Sequence, residues 1–162
     1  MIVVADTSPL NYLVRAGYAW ILPELFGRVL VPNAVMTEML HPQAPPEVRK
    51  FASAPPDWLE PVEVLQMAAG LSVSLGVGEA EAISLALEVH ADALLIDDLA
   101  GRREAQSRAI PARGTLAVLL QASLRGYLEL PPAIEQLSRL GFRVSRELQQ
   151  SLIDAYERGR LR

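Results

Sequence analysis

Four acidic residues each fall at a junction or near a helix start: Asp6, Glu38, Glu79 and Asp97. Asp6 ends the apolar run Ile2-Val3-Val4-Ala5, and Asp97 ends Ala93-Leu94-Leu95-Ile96. Glu38 and Glu79 lie at or near the starts of helices between them. Carboxylates gathered at one end of a parallel sheet suit hard divalent cations such as Mg²⁺ and Mn²⁺, which prefer oxygen ligands. One or two such ions activate water and stabilise the leaving oxygen of an in-line displacement, so the chemistry to expect is phosphodiester hydrolysis. Without a cation or substrate to offset them, crowded like charges raise one another's pKa. The bland alternatives are a cap or turn role for Asp6 and ordinary surface charge for Glu38.

The elements that must position these acids alternate short β-type runs with helical ones, which predicts an α/β fold with a mainly parallel sheet. Ile2–Ala5 reads as a strand covered on both faces. Thr7 or Ser8 can then cap a helix that has Pro9 in its first turn. Arg28–Val31 is a second strand, and Pro32-Asn33 opens a helix to about Leu40. After the break His41–Pro46, a weaker helix is predicted over Glu47–Ala54, then an extended Val62–Leu65. Further helices are predicted over Gly78–His90, Leu99–Ala109, Thr115–Arg125 and Pro131–Leu140, with a last one from Ser145 to about Tyr156. Strands are predicted at Ala93–Ile96 and Ile110–Arg113, the latter at an edge because of Pro111. There is no repeat or long linker, so residues 1–162 read as one domain, with 131–162 a C-terminal helical extension of it.

Ligands of open α/β sheets bind outside the carboxyl ends of the strands, where Asp6 and Asp97 both belong. Helical phase separates neighbouring acids. At about 100° per residue, Ile83, Ala86, Leu87 and His90 lie within roughly 80° of Glu79, whereas Glu81 lies near 200°. Glu79 therefore faces the packed side, at a helix N-terminus that favours a carboxylate, and Glu81 reads as a solvated surface acid. Glu38 flanks Val35 and Met39 without a clear orientation. Of Asp97 and Asp98, one is a ligand candidate and the other a helix cap. Asp97 is preferred as first past the strand, with Asp98 as its alternate. His90 reads as a packed or capping residue, and His41 as a loop residue.

Composition narrows the classes. At 162 residues with 51% hydrophobic and 21% charged residues, the chain is of single-domain size, globular and able to bury its own core. It has no cysteine, which removes disulfides, thiolate metal sites and a cysteine nucleophile. No apolar run reaches the roughly 18 residues of a membrane span, and the start lacks a secretory pattern, so no membrane association and a cytoplasmic location are expected. The net charge of −4 counts mildly against nucleic-acid binding. Against it stand Arg102, Arg103, Arg108 and Arg113 after Asp97, and Arg158, Arg160 and Arg162 at the end. Guanidinium forks suit phosphate.

Four segments together resemble a known family. Val4-Ala5-Asp6-Thr7-Ser8-Pro9-Leu10 resembles the first motif of PIN domains, and Val31-Pro32-Asn33-Ala34-Val35-Met36-Thr37-Glu38 the second. Gly78-Glu79-Ala80-Glu81-Ala82-Ile83-Ser84-Leu85-Ala86 and Leu94-Leu95-Ile96-Asp97-Asp98 resemble the third and fourth. Gly114-Thr115-Leu116 and Gly141-Phe142-Arg143-Val144-Ser145 fit a prokaryotic PIN subgroup of uncharacterised, predicted nucleic-acid-binding proteins. The resemblance implies a three-layer α/β/α domain with a central mainly parallel sheet and a Mg²⁺- or Mn²⁺-dependent nuclease site. Many such relatives are VapC-like ribonuclease toxins, often homodimeric and held inactive by a small antitoxin. Carried over, Asp6, Glu38, Glu79 and Asp97 form the acidic quartet, with Thr7 or Ser8 a supporting hydroxyl. Arg102 and Arg103, from the arginine cluster after Asp97, are expected on the RNA backbone. The chain departs from many PIN domains in having Glu79 where they have Asp. Two other readings compete: a non-catalytic PIN-like module that binds RNA or protein, and phosphoryl transfer to Asp6 as in haloacid-dehalogenase-like phosphatases. The last lacks the second Asp of that motif, since Ser8 stands there.

Overall fold

Short, wholly apolar runs form stable strands only where both faces of the sheet are covered. In the computed structural model, which describes residues 1–160, β1 (Val3–Ala5), β2 (Val29–Pro32), β3 (Leu59–Val62), β4 (Ala93–Leu95) and β5 (Ala112–Arg113) form one parallel sheet in the order β3-β2-β1-β4-β5. Alternate residues of the strands feed two cores. Val3, Ala5, Val29, Val31 and Leu95 point to one side, and Val4, Leu94 and Ile96 to the other. The second side packs on α5 (Val77–Glu88) and α6 (Leu99–Ser107). The first packs on α1 (Thr7–Ala16), α2 (Ile21–Phe26), α3 (Asn33–Met39), α4 (Pro46–Ser53), α7 (Thr115–Leu124), α8 (Leu130–Arg139) and α9 (Arg146–Arg160). This is the expected three-layer α/β/α arrangement. Each fully buried leucine or isoleucine, such as Leu13, Ile83 or Leu119, contributes about 1.5–3 kcal/mol relative to exposure.

The strand order creates the place for a site. The chain runs from β1 outward to β2 and β3, then crosses to β4 on the other side of β1. The carboxyl ends of β1 and β4 therefore flank the topological switch point, where open α/β sheets leave a crevice. The register pairs Ala5 with Leu95, and the Asp6 amide donates to the Leu95 carbonyl at 2.9 Å. Asp6 and Asp97 thus leave adjacent strands at one edge.

Several boundaries differ from the sequence expectation. The third strand is Leu59–Val62 rather than Val62–Leu65, because Val29 donates to the Trp58 carbonyl and fixes the pairing upstream. Helix α2 was not anticipated; Pro23 and two flanking aromatics hid six residues whose Ile21, Leu22, Leu25 and Phe26 are all buried. Thr7 and Ser8 lie inside α1 rather than capping it: Asp6 holds the cap position without a side-chain cap bond, which frees both hydroxyls. Ser145 does cap α9, accepting from the Leu148 amide at 3.1 Å, and α9 continues past Tyr156 to Arg160. His90 is exposed rather than packed, in a left-handed conformation (φ 50°) just beyond α5. Arg162, the last of the C-terminal arginines, lies outside the described residues. No described helix is long and apolar enough to cross a membrane.

Candidate functional site

Asp6 is the innermost of the acids. Its residue is 4% exposed, and its Oδ1 is a buried oxygen with no hydrogen-bond partner. Burial in the low-dielectric edge of the sheet pushes its pKa up to about 7; the Thr7 amide opposes this, and the charges of Glu79, Glu38 and Asp97 add to it. Glu38 leaves α3 toward α1 and α5. Its Oε2 accepts from the Thr7 hydroxyl, and its Oε1 accepts from the Gly78 amide at 3.2 Å. A side chain at Gly78 would collide with that carboxylate, so glycine here lets α3 and α5 approach. Glu79 opens the first turn of α5, half-buried. Its pKa is raised by burial first and by Asp98 and Glu38 next, with the Gly76 backbone opposing.

Asp97 is held from two sides. Its Oδ2 accepts from the Ser8 and Thr115 hydroxyls, both at 2.7 Å, and its Oδ1 accepts from the Thr115 amide at 2.7 Å. Gly114 leaves room for it: a Cβ there would stand 3.0 Å from Oδ1 and 3.5 Å from an Arg102 guanidinium nitrogen. Asp98 instead accepts from the Gly101 amide at 2.9 Å and caps α6. The two neighbouring aspartates are thereby divided between the sheet edge and the helix cap.

Asp6, Glu38 and Glu79 share a hollow of about 300 Å³ with a stripe of α1 made by Thr7, Ser8, Asn11, Tyr12 and Arg15. Asp97 lies in the wall of an adjoining hollow of about 320 Å³ with Arg102. Ser8 joins the two, lining the first and donating to the carboxylate of the second. Arg103 is exposed and lines neither. The remaining arginines of that segment have local partners: Arg108 pairs with Glu104 and bonds the Ala69 carbonyl, and Arg113 bonds Gln121. Glu81 is not a solvated acid. It is half-buried and accepts from the Ala34 amide at 3.3 Å at the start of α3, because α5 is packed on more than one face.

Two groups of residues reach the site without having been named as site candidates, Thr115 having entered only through its motif and its helix. Thr115 opens a helix after β5 and so reaches the same edge. Asn11 and Arg15 follow Thr7 at intervals of four, which places all three on one face of α1. That spacing was visible, but it points to a site only once the face is known to border the acids.

A model of the PIN-domain family matches residues 2–158. The chain belongs to the PIN-domain family. No curated protein matches it significantly. PIN domains are in general nucleases that typically use divalent metal ions, and membership gives this PIN domain nuclease-type chemistry as its frame. The donor set fits such an ion: hard carboxylate oxygens, including one buried oxygen lacking any partner. Among the described residues, no three acidic or histidine side chains converge into a ready-made cage. Glu38 and Asp97 are already engaged by hydroxyls and amides, so an ion here would share its coordination with water and substrate oxygens.

Proposed function

We propose that this PIN domain is a Mg²⁺- or Mn²⁺-dependent endoribonuclease, the toxin of a toxin–antitoxin pair acting in the cytoplasm. The observation that carries this reading is Asp6: a carboxylate buried at the sheet edge with an unpartnered oxygen, beside two further acids in one hollow. Such a group is unfavourable in an empty site and is compensated by a cation.

Asp6, Glu38, Glu79 and Asp97 would hold a divalent ion together with water and substrate oxygens, and it would supply positive charge to acidify water and to offset charge on the phosphate. The chain's own residues set the geometry. Thr7 and the Gly78 amide orient Glu38, and Ser8 and Thr115 fix Asp97. Burial excludes bulk water from Asp6. Arg15, stacked 5.7 Å from the Tyr12 ring, offers a guanidinium to the RNA backbone beside the acids, and Arg102 offers another near Asp97. Residues 1–162 act as a single PIN-like unit, with 131–162 as its C-terminal helical extension. A small antitoxin and a homodimer belong to the same reading.

The test is cleavage of RNA with Mg²⁺ or Mn²⁺ by the wild type, Asp6→Asn and Asp97→Asn. Cleavage is expected to need the ion and to fall at least 100-fold in either variant. Cleavage that persists in both variants and in EDTA would overturn the mechanism. A small DNA-binding-type reading frame directly upstream of the gene would support the toxin role.

A non-catalytic RNA- or protein-binding module is the second reading, favoured by the lack of a ready-made cage among the described residues. Calorimetry with Mn²⁺ separates the two, since the binding-only form has no titratable site that depends on Asp6.

A further inference from the structure

The hollow that contains Asp97 differs in chemistry from the one that contains Asp6. Its lining is mainly apolar: Leu116 and Leu120 of α7, Leu148 and Leu152 of α9, and Phe142. Arg102 and Arg143 stand among the residues around it, and neither forms an ion pair with a described residue. The hollow also adjoins the acids directly. Asp97 is in its wall, and Phe142 packs edge-on to Tyr12 of the acidic hollow, centroids 4.8 Å apart at 85°. A strand whose phosphate lies at the acids and continues past Asp97 meets apolar surface and an aromatic ring, with two guanidiniums for its next phosphate.

We infer that this hollow is a base-binding subsite, which takes one unstacked nucleobase of the RNA strand adjacent to the scissile phosphate. The inference rests on the ribonuclease reading for the position of that phosphate. Its volume, about 320 Å³, is at the small end of ligand sites and suits one base rather than a helix or peptide segment. Single-stranded RNA is recognised in this manner, by splayed bases set against apolar and aromatic side chains with arginine on the phosphates. The subsite would give the enzyme a sequence or context preference at one nucleotide. Ala117, exposed among the residues that line it, is a position outside the acidic hollow from which a large side chain would fill it.

The test measures binding in EDTA, where no cleavage occurs, by fluorescence anisotropy of labelled single-stranded RNA oligomers carrying one abasic site at each position in turn. One abasic position is expected to weaken binding roughly five- to tenfold in the wild type. Ala117→Trp should weaken the intact oligomer by a similar factor and remove the penalty of that abasic site. Arg143→Gln should weaken all oligomers alike and make the salt dependence shallower. Photo-crosslinks from 4-thiouridine oligomers to the wild type, mapped by mass spectrometry, should fall on residues 116–120 or 142–143, a readout that does not depend on any variant folding. Crosslinks confined to other segments, uniform tolerance of abasic sites, or an absence of RNA binding would overturn the subsite. So would an Ala117→Trp change that alters only the oligomeric state, which would assign the hollow to a second copy. The two claims fail separately: base-dependent binding without any cleavage leaves the subsite and removes the nuclease, whereas metal-dependent cleavage with unaltered binding in Ala117→Trp does the reverse.

Discussion

Asp6 is 4% exposed at the end of β1 with its pKa pushed up to about 7 from an ordinary 3.8, chiefly by burial. The folded protein therefore holds that proton to higher pH than the unfolded chain does. Between these values the native state binds more protons, so stability falls as pH rises through the window. Above pH 7 the ionised group costs about 4 kcal/mol at most. In metal-free protein, Asp6→Asn is thus expected to be stabilising, with a gain at pH 8 about 2–3 kcal/mol larger than at pH 5. Urea unfolding in EDTA at the two pH values checks this, and a gain independent of pH would mean that Asp6 ionises freely. The sequence marked Asp6 as an acid at a strand end, but its burial and its unpartnered oxygen depend on what surrounds it.

At the scale of elements, the telling pair is β4 and α6, where adjacent aspartates take different work. Asp97 is fixed by Ser8 of α1 and Thr115 of α7, and Asp98 caps α6 through the Gly101 amide. Asp98→Ala is expected to cost about 1 kcal/mol of stability, as loss of a cap does. Asp97→Asn should act mainly on cleavage. Chemical denaturation and RNA cleavage of both variants check the division, and the reverse pattern would make Asp98 the working acid. The alternation of strands and helices was legible because apolar runs and caps are local signals. The short α2 and the exact span of β3 were not, since a proline among aromatics and a pairing set by Trp58 are resolved only by packing.

Taken whole, the molecule carries net charge −4, and its two hollows set acids beside a few guanidiniums rather than a broad basic face. RNA affinity is expected to have a shallow salt dependence. With Arg15, Arg102 and Arg143 as the contacts, log K should fall with log salt at a slope of about −2. Anisotropy between 50 and 200 mM KCl, both chosen assay conditions, measures it, and a slope several units steeper would require a basic surface elsewhere. The sequence by itself determined the α/β class and the mainly parallel sheet and marked four candidate acids, because hydrophobic period and turn residues act over a few neighbours. Only the tertiary structure decided that β4 lies beside β1, bringing Asp6 and Asp97 to one edge. It alone assigned Asp97 to that edge and Asp98 to the cap, turned Glu81 into a partner of Ala34, and opened a hollow behind Phe142. Those outcomes depend on which strand pairs with which and on how helices pack, and such contacts join residues up to some ninety positions apart, such as Ser8 and Asp97.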